Sequence, residues 1–149
     1  MTDHLRLDDQ LCFALYAASR AMTAAYAPVL EKLALTYPQY LAMLTLWEDD
    51  GLRVSRIGER LHLDSATLTP LLKRLEVRDL IERRRSAADE RVVEVFLTAA
   101  GKRMKRQAAE IPRCMLEKFD MSIAELVQLR VRVKELTEKL RVGTSSNRS

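Results

Sequence analysis

The sequence predicts a mainly α-helical chain with one small β-hairpin wing, the winged helix-turn-helix class. Three observations carry this. The segment Asp64-Ser-Ala-Thr-Leu-Thr-Pro-Leu-Leu-Lys-Arg-Leu75 opens on a capping residue and a first turn of small hydroxyls, then turns amphipathic, with Leu68, Leu71, Leu72 and Leu75 at helical spacing. The next segment, Ile81 to Leu97, is two strand-like runs around a polar tip bearing Arg83, Arg84, Arg85 and Arg91. Only four glycines, four prolines and 5% aromatic residues favour helices over a β-sandwich. A length of 149 residues with 48% apolar content suits one folded unit with a core of its own.

The remaining elements follow in order. Asp8 or Asp9 caps a helix running toward Tyr26, with Leu11, Leu15, Ala18 and Met22 on one face, and Pro28 marks its end or a kink. A second helix is expected over Pro28 to Leu35. A third covers Gln39 to Glu48, with Pro38 as its first residue. Asp49-Asp50-Gly51 is a turn and Leu52-Arg53-Val54 a short strand. Ser55 then caps a short helix, Arg56 to Leu61, that points Ile57 and Leu61 inward. His62-Leu63 makes the tight turn into the helix at Ser65, which ends near Asp79. The hairpin pairs residues 81–84 with 92–97. Thr98-Ala-Ala-Gly101 starts a long helix that Pro112 interrupts, and Ser122-Ile-Ala-Glu125 is a capping box. After it, Leu126, Leu129, Val133, Leu136 and Leu140 recur at alternating intervals of three and four, a heptad seam. That seam packs either on a partner helix or on its own subunit. Residues 142–149 form a polar tail. No internal repeat is visible.

Charge narrows the partner. Residues 53–106 carry 14 Lys+Arg against 8 Asp+Glu, while the rest of the chain carries 11 against 13. The excess positive charge therefore falls on the helix-plus-hairpin segment, as expected of a surface for double-stranded DNA. Small hydroxyls at a helix start suit base edges in a major groove, and hairpin arginines suit a narrow minor groove. Ser65, Thr67 and Thr69 are the candidate base or phosphate contacts, with Lys73 and Arg74 further along. Arg84, Arg85 and Arg91 are candidates in the wing, where Asp89 orients Arg91 or another wing arginine, or serves only the turn. No apolar run follows the start and none approaches the roughly 18 residues of a membrane span. His4, His62 and two distant cysteines make no metal-ligand set, and no cofactor is implied. With Cys12 and Cys114 so far apart and no CxxC, a reducing, cytoplasmic setting is the default expectation.

Cys12 lies in the first turns of its helix. A helix N-terminus favours a thiolate, whereas Asp8 and Asp9 oppose it, and the residues alone leave the sign open. Tyr16 follows one turn later on the same face. Tyr26 falls near that face as well, but fourteen helical residues span about 21 Å, so it reaches only the Cys12 of a two-fold partner lying antiparallel. Tyr37 can join it. On spacing alone, a lone cysteine on an apolar helix face is more often a buried structural residue, and tyrosines at these positions are by default core residues.

Several runs resemble one family. Gly58-Glu-Arg-Leu61, the run from Leu63 to Leu75, Asp89-Glu-Arg91 and Leu97-Thr-x-x-Gly101 are similar to the multiple antibiotic resistance regulator (MarR) family. Leu63-Asp-Ser-Ala-Thr-Leu-Thr-Pro-Leu-Leu72, Leu7-Asp-Asp-Gln-Leu-Cys-Phe-Ala-Leu-Tyr16 and Leu35-Thr-Tyr-Pro-Gln-Tyr40 resemble its organic hydroperoxide resistance regulators (OhrR). The resemblance covers about residues 7 to 140. It implies a homodimeric repressor on a pseudo-palindromic operator. Its dimer would form through residues 5–35 and 101–141, with a DNA-binding lobe at 52–100. It implies Cys12 as the thiol oxidised by organic hydroperoxides, Tyr26 and Tyr37 as hydrogen-bonding partners from the other subunit, and Tyr16 lining the same pocket. Phe13, Leu15 and Met22 would supply apolar walls. Cys114 lies in roughly the region where some relatives carry a resolving cysteine; others use an external thiol. Two rivals from other classes are a repressor released by a small phenolic or other non-redox ligand, and a thiol peroxidase, for which no thioredoxin-like pattern is present.

Overall fold

The computed structural model describes residues 4–145. Packing divides the chain into two compact units that meet in sequence between Ile111 and Pro112. In the first, a 3-10 turn (Leu7–Asp9) precedes α1 (Leu11–Leu30), and a second 3-10 turn (Glu31–Leu33) leads to α2 (Tyr37–Glu48). Then come β1 (Leu52–Arg53), α3 (Val54–Leu61), α4 (Ser65–Val77), β2 (Ile81–Arg85), β3 (Val93–Leu97) and α5 (Ala99–Ala108). The three strands form one antiparallel sheet in the order β1-β3-β2, with Ile81 opposite Leu97 and Arg85 opposite Val93. Helix α6 (Ile111–Phe119) begins at the boundary, and α7 (Ile123–Ser145) follows it.

Helix α2 is the centre of the first unit. Thr36 and Gln39 close a capping box at its start, each side chain bonding the other's backbone N–H. Tyr40, Ala42, Met43 and Leu46 are buried, and α1, α3, α4, α5 and β3 all pack against it. Its two buried polar side chains are satisfied: Gln39 Oε1 accepts from the Thr36 N–H at 3.0 Å, and Thr45 Oγ1 donates to the Leu41 carbonyl at 2.9 Å. Helix α4 buries Leu68, Leu71, Leu72 and Leu75. Each such leucine stabilises the fold by about 1.5–3 kcal/mol. The stripe is therefore strong enough to carry the helix through Pro70, whose ring costs about 3 kcal/mol inside a helix.

Several boundaries differ from the sequence expectations, each for a local reason. Asp8 and Asp9 do not cap α1; they sit in the 3-10 turn, and Gln10 takes the cap position without a side-chain cap bond. The Gln10 amide instead donates back to the His4 and Arg6 carbonyls, at 2.6 and 2.9 Å. Pro28 neither ends α1 nor starts a second helix. It lies in the last turn, where only one bond is forfeited, and Leu30 is fully buried beyond it. The short helix begins at Val54, with Arg53 rather than Ser55 at its cap, and Leu61 is only half-buried while Ile57 is fully buried. His62 does make the tight turn, in a left-handed conformation (φ 56°) that lets the Leu63 N–H reach the Gly58 carbonyl. Helix α7 runs on through residues 142–145, the first part of the segment expected as a polar tail; residues 146–149 lie outside the described ones. Ser122 and Glu125 form the anticipated capping box, at 2.8 and 3.2 Å. Along the heptad seam Leu126 and Leu136 are half-buried, whereas Leu129 and Val133 are exposed.

The Thr98-x-x-Gly101 motif is a packing joint. Thr98 Oγ1 donates to the Asp79 carbonyl at 2.6 Å and accepts from the Gly101 N–H at 3.0 Å, while the Gly101 carbonyl accepts from the Trp47 indole at 2.9 Å. A Cβ on Gly101 would stand 2.1 Å from the Leu80 carbonyl oxygen. Gly101→Ala is therefore expected to lower stability by about 1–3 kcal/mol, read as a fall of several degrees in Tm. An unchanged Tm would mean that the Leu80 backbone yields freely.

Candidate nucleic-acid interface and thiol site

With its leucines turned inward, α4 leaves Ser65, Thr67, Thr69, Lys73 and Arg74 exposed. Ser65, Thr69 and Lys73 follow one line at intervals of four, and Thr67 and Arg74 follow another, seven apart. Ala66 and Pro70 lie between these lines, so the outer surface is shallow and edged by hydroxyls and cations. Asp64 fixes where it begins: its carboxylate accepts from the Thr67 N–H at 2.8 Å, and this bond holds the carboxyl below its usual range.

The four wing arginines, grouped at one tip by the sequence, divide by partner. Arg83 is drawn to α4, where the Glu76 carboxylate accepts from its backbone N–H (3.0 Å), Nε (3.3 Å) and Nη2 (3.1 Å). Those bonds keep the Glu76 carboxyl below the ordinary carboxylate range. Because the folded-state value is lowered, the stabilisation is complete above the ordinary carboxylate range and is lost as pH falls from that range through the lowered value. Arg84 lies over the Phe96 ring, 4.7 Å from its centroid, and pairs with Glu82 at 2.9 Å. Arg85 donates to the Glu90 carbonyl at 2.9 Å. At the tip, Asp89 holds Arg91 through bonds to Nε (3.1 Å) and Nη2 (3.3 Å) and to the Arg91 backbone N–H, with the guanidinium itself open to solvent. Arg91 lowers the Asp89 carboxyl in turn. Asp50 secures the base of the wing by accepting from the Gly51 and Leu97 N–H groups at 2.9 and 2.8 Å.

Cys12 is a free, exposed thiol at the second position of α1. Since α1 is continuous from Leu11 to Leu30, Tyr26 lies about 21 Å along the same helix, out of reach of this Cys12. Tyr26 instead meets Tyr37 (ring centroids 4.9 Å apart) and Tyr40 (5.8 Å), and Tyr40 meets the Trp47 ring at 6.5 Å. Tyr40, which spacing from Cys12 does not single out, is the innermost member at 3% exposure. Burial raises the phenol pKa of Tyr26 and Tyr37 and pushes Tyr40 up to about 12. All three are therefore neutral donors near pH 7. Tyr16 stands apart from them, accepting from Arg20 Nη1 at 3.3 Å with the guanidinium 5.6 Å from its ring centroid. Phe13 and Met22 are exposed and Leu15 is half-buried, so these side chains do not close a pocket over Cys12 within this unit. Cys114, on α6, is a half-buried free thiol. No group of three or more His, Cys, Asp or Glu among the described residues could hold a metal ion. No helix among them is long and apolar enough to cross a membrane.

Comparison with known proteins identifies this assembly of elements. Residues 24–108 match the transcriptional regulator SarA/Rot family. The chain is 51% identical over 138 residues to the organic hydroperoxide resistance transcriptional regulator of Bacillus subtilis, covering 93% of this chain and 94% of that one. It superposes on reduced AbfR bound to DNA, a Staphylococcus epidermidis protein, with a TM-score of 0.80 and 33% identity, covering 94% of this chain and 96% of that one. Against disulfide-formed AbfR the TM-score is 0.62 at 34% identity, covering 96% and 95%. The chain thus belongs to the MarR family of winged-helix transcriptional regulators, in its organic hydroperoxide resistance branch.

Proposed function

We propose that this protein is a homodimeric repressor that binds a pseudo-palindromic DNA operator when reduced and releases it once organic hydroperoxide oxidises Cys12. The observation that carries the proposal is an exposed free thiol at the start of α1, in a chain 51% identical to a regulator named for organic hydroperoxide resistance.

The exposed line of Ser65, Thr67 and Thr69, with Lys73 and Arg74 behind it, is suited to a major groove, and Arg91 on its Asp89 support to the adjacent minor groove. Arg85 stands beside it, while Arg84 reaches DNA only by leaving Glu82. Uncovered apolar surface supports the dimer. Leu11 is 61% exposed, and on α7 Ile123 is 68% and Leu129 52% exposed, with Val127, Val131 and Val133 also open. Helices apolar on more than one side are normally covered in an assembly. An antiparallel pairing of α1 with its two-fold copy would bring the Tyr26–Tyr37 pair toward the other protomer's Cys12, where their hydroxyls donate to the thiolate.

In the oxidation step, the Cys12 thiolate sulfur attacks the terminal peroxide oxygen. The O–O bond breaks, the alkoxide leaves and takes a proton from solvent, and Cys12 becomes a sulfenic acid. Cys114 then attacks that sulfur from the other subunit. A disulfide forms and water leaves. Because both half-sites must be engaged together, a displacement of a few ångströms between the two readers releases the DNA.

Cys12→Ser is expected to bind a duplex selected on the reduced wild-type protein with unchanged affinity and to stay bound in cumene hydroperoxide. Release of DNA by that variant would sink the redox reading in favour of a non-redox ligand. Cys114→Ser should respond without an intersubunit crosslink on a non-reducing gel and should overoxidise; a wild-type crosslink pattern rules Cys114 out as the resolving thiol. Asp89→Asn and Arg91→Ala should each weaken binding, and Arg91→Ala should reduce the slope of log K against log salt by about one. An unchanged slope would place Arg91 off the DNA. Leu129→Asp together with Leu136→Asp should convert the dimer to a monomer by light scattering and abolish tight binding. Persistence of the dimer would remove that face of α7 from the contact.

A further inference from the structure

Two helices in the first unit end in the same way. At the end of α1, the chain passes without a loop from buried Leu30 into the Glu31–Leu33 turn. The Ala34 N–H donates to the Glu31 carbonyl at 2.9 Å, and Ala34 is left-handed, with φ 50°. At the end of α4, the Asp79 N–H donates to the Glu76 carbonyl at 2.9 Å and the Leu80 N–H to the Leu75 carbonyl at 3.1 Å; Asp79 is left-handed, with φ 57°. One side chain joins these ends. Arg78 Nη1 donates to the Ala34 carbonyl at 2.6 Å and Nη2 to the Leu33 carbonyl at 2.9 Å.

The geometry favours a firm joint. Carbonyls at a helical C-terminus carry partial negative charge, and a planar guanidinium meets two of them with little further loss of freedom. From the same end of α4, Glu76 carries the connection onward through its three bonds to Arg83 of β2. A continuous set of bonds therefore runs from α1 through its closing turn, Arg78, α4 and Glu76 to the wing. Sliding α1 by roughly an ångström carries the Leu33 and Ala34 carbonyls with it, and the fork must then either move α4 or stretch past hydrogen-bonding range.

We propose that Arg78 is a positioning residue that couples α1 to α4 and the wing, so that displacement of α1 on oxidation reaches the DNA-reading surface. The proposal rests on the redox reading above. Arg78 belongs neither to the thiol site nor to the exposed hydroxyl line of α4; it acts through the helix whose end it holds.

The test uses the full chain and a duplex selected from a random library on the reduced wild-type protein. Kd is measured by fluorescence anisotropy before and after cumene hydroperoxide, with mass spectrometry confirming equal oxidation of Cys12. The readout is the ratio of oxidised to reduced Kd, which a residue serving stability alone would not change. Arg78→Gln should keep the reduced Kd within about threefold of wild type and lower the ratio about tenfold, within the usual range of allosteric coupling. Arg78→Lys, which keeps a cation without the planar fork, should fall between, and it decides the matter if Arg78→Gln does not fold. Wild-type ratios in the folded variants overturn the coupling role, as does a loss of reduced-state affinity with the ratio intact. A wild-type ratio of one overturns the redox reading and the coupling role together, whereas a high wild-type ratio unchanged in the variants overturns the coupling role alone.

Discussion

Leu68, Leu71, Leu72 and Leu75 seat α4 against α2, with α3 and β2 alongside, and the placement of the outward-facing chemistry depends on that stripe. Burial of four leucines outweighs both the Asp64 cap, typically worth about 1 kcal/mol, and the proline penalty at Pro70. Only one rotation of α4 satisfies it. That rotation puts Ser65, Thr67 and Thr69 outside, points Glu76 at Arg83 in the middle of β2, and brings Arg78 against the turn that closes α1. The polar surface is consequently a by-product of apolar packing, with hydrogen bonds at the helix ends locking in an orientation the leucines have already chosen.

The parts legible in the sequence are those with a single dominant local cause. A leucine at every third or fourth position, a capping aspartate and a strand pair around a polar tip place the start of α4 and the two hairpin strands to within a residue, and the end of α4 to within two. Legibility failed where two weak causes competed. Asp8, Asp9 and Ser55 all have the chemistry of helix caps, but a 3-10 turn and a strand-to-helix junction moved the starts of α1 and α3 away from them. Pro28 suggests an ending, yet its penalty is small one turn from the end of a helix that buries Leu30. Spacing from Cys12 gives no sign of Tyr40; its place beside Tyr26 and Tyr37 follows from the packing of α1 on α2, which no local pattern encodes. The separate fates of the wing arginines depend on Glu76 and Phe96 across the sheet and helix, and are likewise non-local.

The two long helices pose the opposite problem. Helix α2 is buried on nearly every side, whereas α1 beyond its tyrosine end and α7 along much of its length leave apolar side chains open. The dimer proposed above would cover that open surface. The tyrosine cluster is the part of α1 already settled in one chain: three neutral phenols, packed together before any partner arrives. Hydroxyls positioned in advance lose little freedom when they meet a thiolate.

The paired state of the wing also bears on how such a protein searches a chromosome. Arg84 and Arg91 each carry an adjacent carboxylate, from Glu82 and Asp89, so the wing presents less net charge to a distant phosphate backbone than its arginine count suggests. Contacts with arbitrary sequence, which depend on charge alone, are weakened by those built-in counterions. A guanidinium aimed by its own carboxylate keeps its value only where a groove of the right width receives it. On the proposed role of the wing, this pairing would lower the number of molecules held idle on unrelated DNA, and with it the copy number needed to keep a single operator occupied.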